Sequence, residues 1–390
     1  MSKTIIKAAA LATILGVGPV WAAAPSNEEL YESIKALEAE LKARDEQAAK
    51  EKKAAESSMF KAQNVKFGGY GELHYNNLIA EDHANDVREI DFHRFVLFMG
   101  YDFSDSIRFV SEVEIEHSIA ADGEGGEVEL EQAYVEFDLN STWRARGSVM
   151  LLPVGILNET HEPPTFYGVE RNDVENIIIP STWWAGGASV VGNWSNGLQW
   201  DFMVHEGLMV PTAGGSAFRV RSGRQKTSEA DASDLAATTR LSYSGLPGLK
   251  MGASLSYQSD ASQVDGDGLE EALLYVVNLQ ADRGPFSLRA LYGAWDMSGS
   301  AVEAADDDDQ SGWYIEPSYK FCEKIGLYTR YEDIEGARSQ DEFDQWEVGV
   351  NFWPHPSVVI KADYRSRSHD LNAEAGRDFD GFDLGIGYQF

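Results

Sequence analysis

The sequence GFDLGIGYQF, residues 381–390, indicates the fold class. Apolar residues occupy every second position from Phe382 to Phe390, and glycine, aspartate or glutamine stands between them. Because successive side chains of a strand point to opposite faces, this stretch has one apolar and one polar face. An alternating segment of about ten residues is typical of a strand that crosses a membrane within a barrel.

The same period of two recurs in sixteen segments from Val65 onward. The predicted strands begin near Val65, Glu89, Ser106, Gly126, Trp143, Gly187, Leu198, Leu235, Leu249, Glu270, Pro285, Gly312, Ile325, Gln345, Ser357 and Gly381. Short turns rich in Asn, Asp, Gly, Pro or Ser alternate with longer loops between them. We therefore predict an all-β fold, a transmembrane antiparallel β-barrel of sixteen strands, with fourteen or eighteen strands as alternatives. A soluble sandwich fits less well, because its strands are usually shorter.

The composition excludes several classes of protein. The 390 residues include 64 acidic and 32 basic ones, a net charge of −32. Such a surface repels phosphate backbones, so we expect no nucleic-acid partner. The single cysteine, Cys322, excludes an internal disulfide framework and a multi-cysteine zinc site. Beyond the N-terminus no segment approaches the roughly 18–20 apolar residues of a membrane-spanning helix.

The first 60 residues differ from the rest. Residues 1–22 have a basic start, an apolar run and then small residues, the pattern of a secretory signal peptide; a single membrane anchor is the alternative. In residues 23–60, Leu30, Ile34, Leu37 and Leu41 form one stripe of a helix. This spacing predicts a short periplasmic coiled coil, with a mobile tether as the alternative.

Residues 61–390 form the predicted barrel domain, and one of its loops is unusual. Residues 153–186, PVGILNETHEPPTFYGVERNDVENIIIPSTWWAG, are too long for a simple hairpin. Their apolar and aromatic content argues against disorder. We predict that this loop folds into the lumen and narrows the pore; a surface lid at a subunit contact is the alternative.

The faces opposite the apolar ones would line a water-filled lumen, where charges select ions by sign. The residues predicted to line the pore or its constriction are Arg94, Arg108, Arg144, Arg146, His161, Glu162, Glu170, Arg171, Arg365 and Arg367. Alternatively, opposite charges on the wall pair across strands. A further basic group, Arg219 to Lys226, is interpreted as a hydrated loop, with binding of anions or of lipopolysaccharide phosphates as the alternative.

Signals of enzymatic activity are weak. His161-Glu162 and His205-Glu206 begin a zinc-protease pattern, but Thr165 and Met209 stand where its second histidine would be. The sequence contains neither a nucleophile-elbow pattern nor a phosphate-binding P-loop. We therefore expect no catalytic residues, no metal site and no cofactor.

Several motifs together carry a resemblance to a known family. They are NVKFGGYGELHY at 64–75, NETHEPPTFYGVERNDVE at 158–175, IPSTWW at 179–184 and the terminal GIGYQF. With the signal peptide and the short coiled coil, they resemble Gram-negative outer-membrane porins, most of all the branch related to the phosphate-selective porin O/P family. The resemblance covers essentially the whole mature chain, and the aromatic end at Phe390 is similar to the signal read by the barrel-assembly machinery.

The resemblance implies a homotrimer of sixteen-stranded barrels in the outer membrane, with the N-terminal segment in the periplasm. Lipid and lipopolysaccharide are then partners. Phosphate selectivity in that branch rests on a ladder of inward basic residues. Five arginines could match this ladder: Arg94, Arg144, Arg146, Arg365 and Arg367. Three glutamates interrupt it: Glu112, Glu114 and Glu116.

We therefore predict an outer-membrane porin, a water-filled channel for passive diffusion of ions and small hydrophilic solutes, anions among them. Two alternatives stay open. One is a substrate-specific channel for phosphate-like anions. The other is a structural or adhesion barrel, which an inner wall packed with apolar or fully paired side chains would favour.

Overall fold

The computed structural model describes residues 62–390 except 124 and 371–373, together with part of the segment 28–47. The described residues of that segment are helical and belong to a separate compact unit. The predicted signal peptide lies outside the described residues, as does much of residues 23–60, so the coiled coil stays a prediction. Among the described residues, no helix has the length and apolar character needed to cross a membrane.

Sixteen antiparallel strands close into one barrel, in which each strand pairs with its neighbours along the chain and the first pairs with the last. The strands are β1 (Val65–Ala80), β2 (Val87–Ser104), β3 (Ile107–Glu116), β4 (Val128–Asp138), β5 (Trp143–Leu151), β6 (Trp184–Asn193), β7 (Leu198–His205), β8 (Ala236–Leu246), β9 (Leu249–Gln258), β10 (Ala272–Arg283), β11 (Phe286–Met297), β12 (Asp309–Cys322), β13 (Ile325–Glu335), β14 (Glu342–His355), β15 (Val358–His369) and β16 (Phe379–Gln389). Each begins within three residues of its predicted start. The predicted sixteen-stranded barrel is confirmed.

Short helical pieces occupy the loops. Two α-helical segments span Val174–Ile177 and Ser300–Ala305. The 3-10 turns are Ala62–Asn64, Pro163–Thr165, Val220–Gly223, Ser339–Asp341 and Ala375–Arg377.

Barrel closure follows from the alternating faces and from the lack of hydrogen-bond partners in lipid. On β14 the apolar Trp346 and Val348 face outward and are each 56% exposed, whereas Glu347 between them is buried inside. At the seam, Gly69 and Phe390 exchange backbone hydrogen bonds of 3.0 and 2.9 Å. The last residue of the chain thus completes the pairing of β1 with β16.

One strand departs from simple alternation. Glu72 of β1 pairs with Arg94, but His74 pairs with Asp91, so β2 contains one extra residue at this point. Beyond this β-bulge, toward the loop end of β2, the residues that point inward and those that point outward are exchanged. Ile90 is consequently 72% exposed on the outside, while Asp91, His93 and Arg94 all border the interior.

The long loop between β5 and β6, residues 152–183 and here named the inserted loop, folds inside the barrel. Its buried Leu152, Ile178 and Trp183 pack in one cluster with wall residues such as Leu274 and Leu291. The predicted insertion into the lumen is confirmed. The inner face of β10–β13 is therefore partly apolar rather than polar throughout, because it packs against this loop.

Candidate functional site

Beside the inserted loop, the barrel retains a cavity of about 610 Å³ at the end where the long loops lie. Its wall comes from the loop-proximal parts of β1 to β4, with Arg365 of β15. The rest comes from the inserted loop, from Trp184 of β6 and from the loop between β7 and β8, here named the fourth loop (residues 206–235). The cavity is the candidate pore constriction.

Charged side chains of both signs line this cavity. The ten carboxylates are Glu89, Asp91, Glu114, Glu116, Glu127, Glu129, Glu131, Glu170, Asp173 and Glu175. The six Lys and Arg residues are Arg94, Arg171, Arg221, Arg224, Lys226 and Arg365. Carboxylates therefore outnumber Lys and Arg residues in the lining of this cavity.

Most of the carboxylates belong to the barrel wall. Glu114 and Glu129 are paired positions of β3 and β4. The register of this pair shifts between Glu112 and Val113, so that Glu131 of β4 is an extra residue that also borders the cavity. From the fourth loop, Lys226 forms ion pairs with Glu127 and Glu129. The wall is thus acidic and only partly neutralised.

Three arginines from loops form the opposite set, here named the loop arginine group: Arg171, Arg221 and Arg224. Their guanidinium groups donate to uncharged oxygens, Arg171 to the Thr182 hydroxyl at 3.1 Å and Arg221 to the Asn176 carbonyl at 3.3 Å. Arg224 donates to the Thr182 carbonyl. Within the described part of the chain, none of the three pairs with a carboxylate. Burial, and then the charges of Arg224 and Arg219, lower the pKa of Arg221 to about 9.

The arginines predicted on strands near the cavity are paired with acids. Arg94 lies 2.8 Å from Glu72 and 3.7 Å from Glu114. Arg365 lies 2.5 Å from Asp383. Arg94 and Arg365 both line the cavity. Each carries its own counter-ion, so neither presents a free positive charge.

Arg367 also has a carboxylate partner, Asp173 of the inserted loop. The remaining predicted arginines gather near the short-turn ends of β3 to β5. Arg108, Arg144 and Arg146 lie 3.2, 3.6 and 2.5 Å from Glu136. All five arginines that could match a basic ladder thus pair with acids, and the structure contains no continuous basic ladder among them.

The predicted residues of the inserted loop have different positions. Glu170 lines the cavity and accepts hydrogen bonds of 3.0 Å from His74 and Asn76. Burial alone would raise the pKa of Glu170, but the charge of His74 and its hydrogen bond hold that pKa well below the usual value. Arg171 lines the cavity as well.

His161 is buried in an ion-pair cluster instead. Its Nε2 lies 3.4 Å from Glu112 and 3.7 Å from Glu131. Burial and the charge of Arg171 lower the pKa of His161, but the two carboxylates outweigh them and raise it to about 9. Glu162 starts the 3-10 turn Pro163–Thr165, and its carbonyl accepts the Thr165 N–H at 2.9 Å. Neither His161 nor Glu162 is among the described residues that line the cavity.

Sequence reasoning missed part of the site. The basic group of the fourth loop, interpreted as a hydrated loop, instead supplies Arg221, Arg224 and Lys226 to the cavity. The close spacing of these basic residues was the available signal. The sequence does not show that this loop folds back to the cavity. Likewise, the bulges that place His93 and Glu131 at the interior leave no mark in a period-two pattern.

A closed sixteen-stranded barrel with a polar interior cavity defines a channel-type membrane protein. Residues 176–390 match the family described as Gram-negative porin. A protein of Aquifex aeolicus described as uncharacterized is 30% identical over 332 residues, which cover 77% of this chain and 75% of that protein. The chain therefore belongs to the Gram-negative porins. It is an outer-membrane channel for passive diffusion, and family and fold point to a channel rather than to an enzyme.

Solved structures share the fold at low identity. The outer-membrane channel DcaP of Acinetobacter baumannii has a TM-score of 0.59 at 12% identity, covering 84% of this chain and 97% of that one. OmpF of Salmonella typhi gives 0.57 at 14%, covering 85% and 99%. An anion-selective porin of Comamonas acidovorans gives 0.57 at 12%, covering 84% and 99%. The resemblance to the phosphate-selective branch is not confirmed by these matches.

Proposed function

We propose that this porin passes small ions of both signs and small hydrophilic solutes, with a weak preference for cations. One observation carries the proposal: ten carboxylates line the cavity, against six Lys and Arg residues and three histidines. A cleft with an excess of one charge sign raises the local concentration of the opposite ion. The excess of carboxylates therefore favours cations over anions.

The separation of the two charge sets supports permeation of dipolar solutes as well. Six of the ten carboxylates come from the wall strands β2, β3 and β4, whereas the loop arginine group comes from two loops. Fixed charges of opposite sign on separate elements produce a local field within the cavity, and such a field orients a solute that carries both signs.

A second candidate, a preference for anions, rests on the loop arginine group. The Nε and Nη2 atoms of Arg171 and the Nε of Arg224 are buried without a hydrogen-bond partner among the described residues. Unpartnered guanidinium donors suit a carboxylate or a phosphate. Selectivity for a phosphate-like anion would require these groups to dominate over the acidic wall.

Reversal potentials in a KCl gradient across a planar bilayer distinguish these candidates. We expect the wild-type channel to prefer K⁺ weakly. The variant Glu116→Gln/Glu129→Gln should shift the potential toward Cl⁻, and Arg221→Gln/Arg224→Gln should shift it toward K⁺. Arg283→Gln, at the exposed short-turn end of β10, is the matched control and should shift nothing. A wild-type preference for Cl⁻ that the Arg221→Gln/Arg224→Gln variant abolishes would establish the second candidate instead.

We further propose that the barrel assembles as a homotrimer in contact with outer-membrane lipid and lipopolysaccharide, with residues 23–60 in the periplasm. OmpT of Vibrio cholerae, 11% identical with a TM-score of 0.54, is described in a trimer form. The outward apolar residues, such as Trp346 and Val348, suit a lipid environment.

Light scattering in detergent tests the assembly. The full chain should have the mass of three copies, and Leu30→Lys/Leu37→Lys should reduce that mass if the coiled coil contributes. The variant Lys35→Ala, on the same predicted helix, is the control. A monomeric full chain would contradict the proposed trimer. Co-purified lipopolysaccharide, measured by its phosphate content, tests the lipid partner.

A further inference from the structure

Three histidines form a row on the wall of the cavity. The rings of His74 and His93 stack with centroids 4.7 Å apart, and the ring of His117 meets that of His93 edge-on at 5.9 Å. All three side chains line the cavity. Passive diffusion through a porin does not explain why three histidines lie together on the wall.

A single carboxylate oxygen connects two of these histidines. Oδ2 of Asp91 lies 3.2 Å from Nδ1 of His93 and 2.9 Å from Nδ1 of His117. The possible ligand atoms of Asp91, His93 and His117 all lie within 4.8 Å of one another. Ligand atoms around tetrahedral Zn²⁺, with bonds of about 2.0–2.2 Å, are roughly 3.3 Å apart. Small side-chain rotations would therefore bring all three ligands onto one ion.

The backbone places these ligands together. The β-bulge in β2 turns both Asp91 and His93 toward the interior, where strict alternation beyond Arg94 would have presented Phe92. His117 directly follows the end of β3, in a left-handed conformation with φ of 51°. Two neighbouring strands thus deliver three ligands to one place on the wall.

His74 has a different role in this row. Its Nδ1 lies 3.0 Å from Glu170 and its Nε2 lies 3.3 Å from Glu72, so both ring nitrogens are already occupied by carboxylates. The stacked ring of His74 therefore supports the ring of His93 without being a ligand itself. Exposure supports this division, since His74 is buried whereas the side chains of His93 and His117 are 30% and 43% exposed.

We propose that Asp91, His93 and His117 bind a divalent transition-metal ion on the wall of the cavity. Two imidazoles and one carboxylate suit Zn²⁺ and its neighbours among the transition metals, whereas Mg²⁺ and Ca²⁺ take oxygen ligands. With three protein ligands, a fourth coordination position stays open to water or to a solute in the cavity. The site does not depend on how well the channel conducts.

Calorimetric titration of the folded, full-length protein in detergent with ZnCl₂ tests the site. We expect one Zn²⁺ per chain, and His93→Gln or His117→Gln should each weaken binding by about tenfold or more. The matched control His355→Gln removes an exposed histidine at a short turn and should leave the affinity unchanged. Excess MgCl₂ should not displace Zn²⁺.

Absorption spectra with Co²⁺ in place of Zn²⁺ provide a second readout, because coordination by nitrogen and oxygen produces visible bands that Mg²⁺ does not remove. Wild-type affinity retained in both histidine variants would overturn the proposal, as would equal competition by MgCl₂, which would mean binding by carboxylates alone. Sheet content by circular dichroism verifies that each variant is folded. Since binding is measured without current, failure of the diffusion proposal would leave this result intact.

Discussion

The ammonium group of Lys361 on β15 donates a hydrogen bond of 2.7 Å to the carbonyl oxygen of Gly168 in the inserted loop. Two residues along the same strand, Asp363 accepts the backbone N–H of Val169, also at 2.7 Å. One strand therefore satisfies a donor and an acceptor of consecutive loop residues. These bonds hold the inserted loop at the position that leaves a cavity open beside it.

Replacing Lys361 should loosen this attachment. In Lys361→Met the buried carbonyl of Gly168 loses its donor, at a cost of about 1–3 kcal/mol. We expect single-channel currents with larger fluctuations, because the loop then samples other positions. Lys324→Met, in a short turn, is the control. Currents as quiet as those of the wild type would show that Lys361 does not hold the loop.

Gly168 itself should be intolerant of a side chain. It has φ of 87°, and an added Cβ would lie 2.7 Å from Oε1 of Glu347 and 2.8 Å from the carbonyl of Glu170. Gly214 has a similar φ of 81° but open space around it. Gly214→Ala should therefore lower the free energy of unfolding only by the strain of a side chain at positive φ, about 1–2 kcal/mol. Gly168→Ala should lower it clearly more, because the added Cβ also meets neighbouring atoms. Urea unfolding in detergent measures both, and equal costs would contradict the packing described here.

The ion pair of Arg365 and Asp383 is buried, so breaking it should be costly. Arg365→Met leaves the carboxylate of Asp383 without its cation, and we expect a loss of about 3–5 kcal/mol in unfolding free energy. The double variant Arg365→Met/Asp383→Leu removes both charges and should recover most of this loss. A single variant as stable as the wild type would mean that Asn76, which donates to Asp383 at 2.8 Å, suffices.

His161 makes the stability of the inserted loop depend on pH. A histidine in the unfolded chain has a pKa of about 6.5, and the folded value is raised to about 9. The stabilisation is therefore complete below the unfolded pKa and is lost as pH rises through about 9. From this difference we expect His161→Gln to lose roughly 3 kcal/mol at pH 6 and little at pH 10.

Urea unfolding of the wild type and His161→Gln at both pH values checks this expectation. His355→Gln, which replaces an exposed histidine, should show no such pH-dependent difference. If wild type and His161→Gln differ in unfolding free energy by the same amount at pH 6 and pH 10, protonated His161 does not stabilise the loop through Glu112 and Glu131.

The sequence was sufficient for the barrel because lipid imposes a strict pattern on it. Phe382, Leu384 and Ile386 must all face outward, and this requirement appears directly as alternation. Interior faces obey no such rule. Leu274 and Leu291 face inward because the inserted loop covers them, and alternation alone cannot show which inner positions a loop will cover.

The candidate site was predicted less well, because it depends on register and on loop paths. Arg94, Glu170, Arg171 and Arg365 line the cavity, and their role in the pore stays a prediction. The pairing of Arg365 with Asp383 required the register of β15 and β16, in which Asp383 lies two residues from the direct partner of Arg365. The strand arginines predicted to line the pore thus belong to ion pairs, whereas the loop arginine group donates to uncharged oxygens.

Apolar packing of the inserted loop raises the structural-barrel alternative again, since such packing was the feature expected of it. The acidic wall and the loop arginine group argue for a channel, because charged groups that line an open cavity are hydrated rather than packed. Conduction is therefore the property that separates the two interpretations.

Single-channel recording of the folded, full-length protein in planar bilayers shows whether the barrel conducts. We expect stepwise current increments whose size rises in proportion to KCl concentration, as in diffusion through a water-filled pore. Neutral sugars should also enter liposomes that contain the protein. Barrels shown to be folded and inserted that carry no current and admit no sugar would exclude passive diffusion through the barrel and establish a structural role instead.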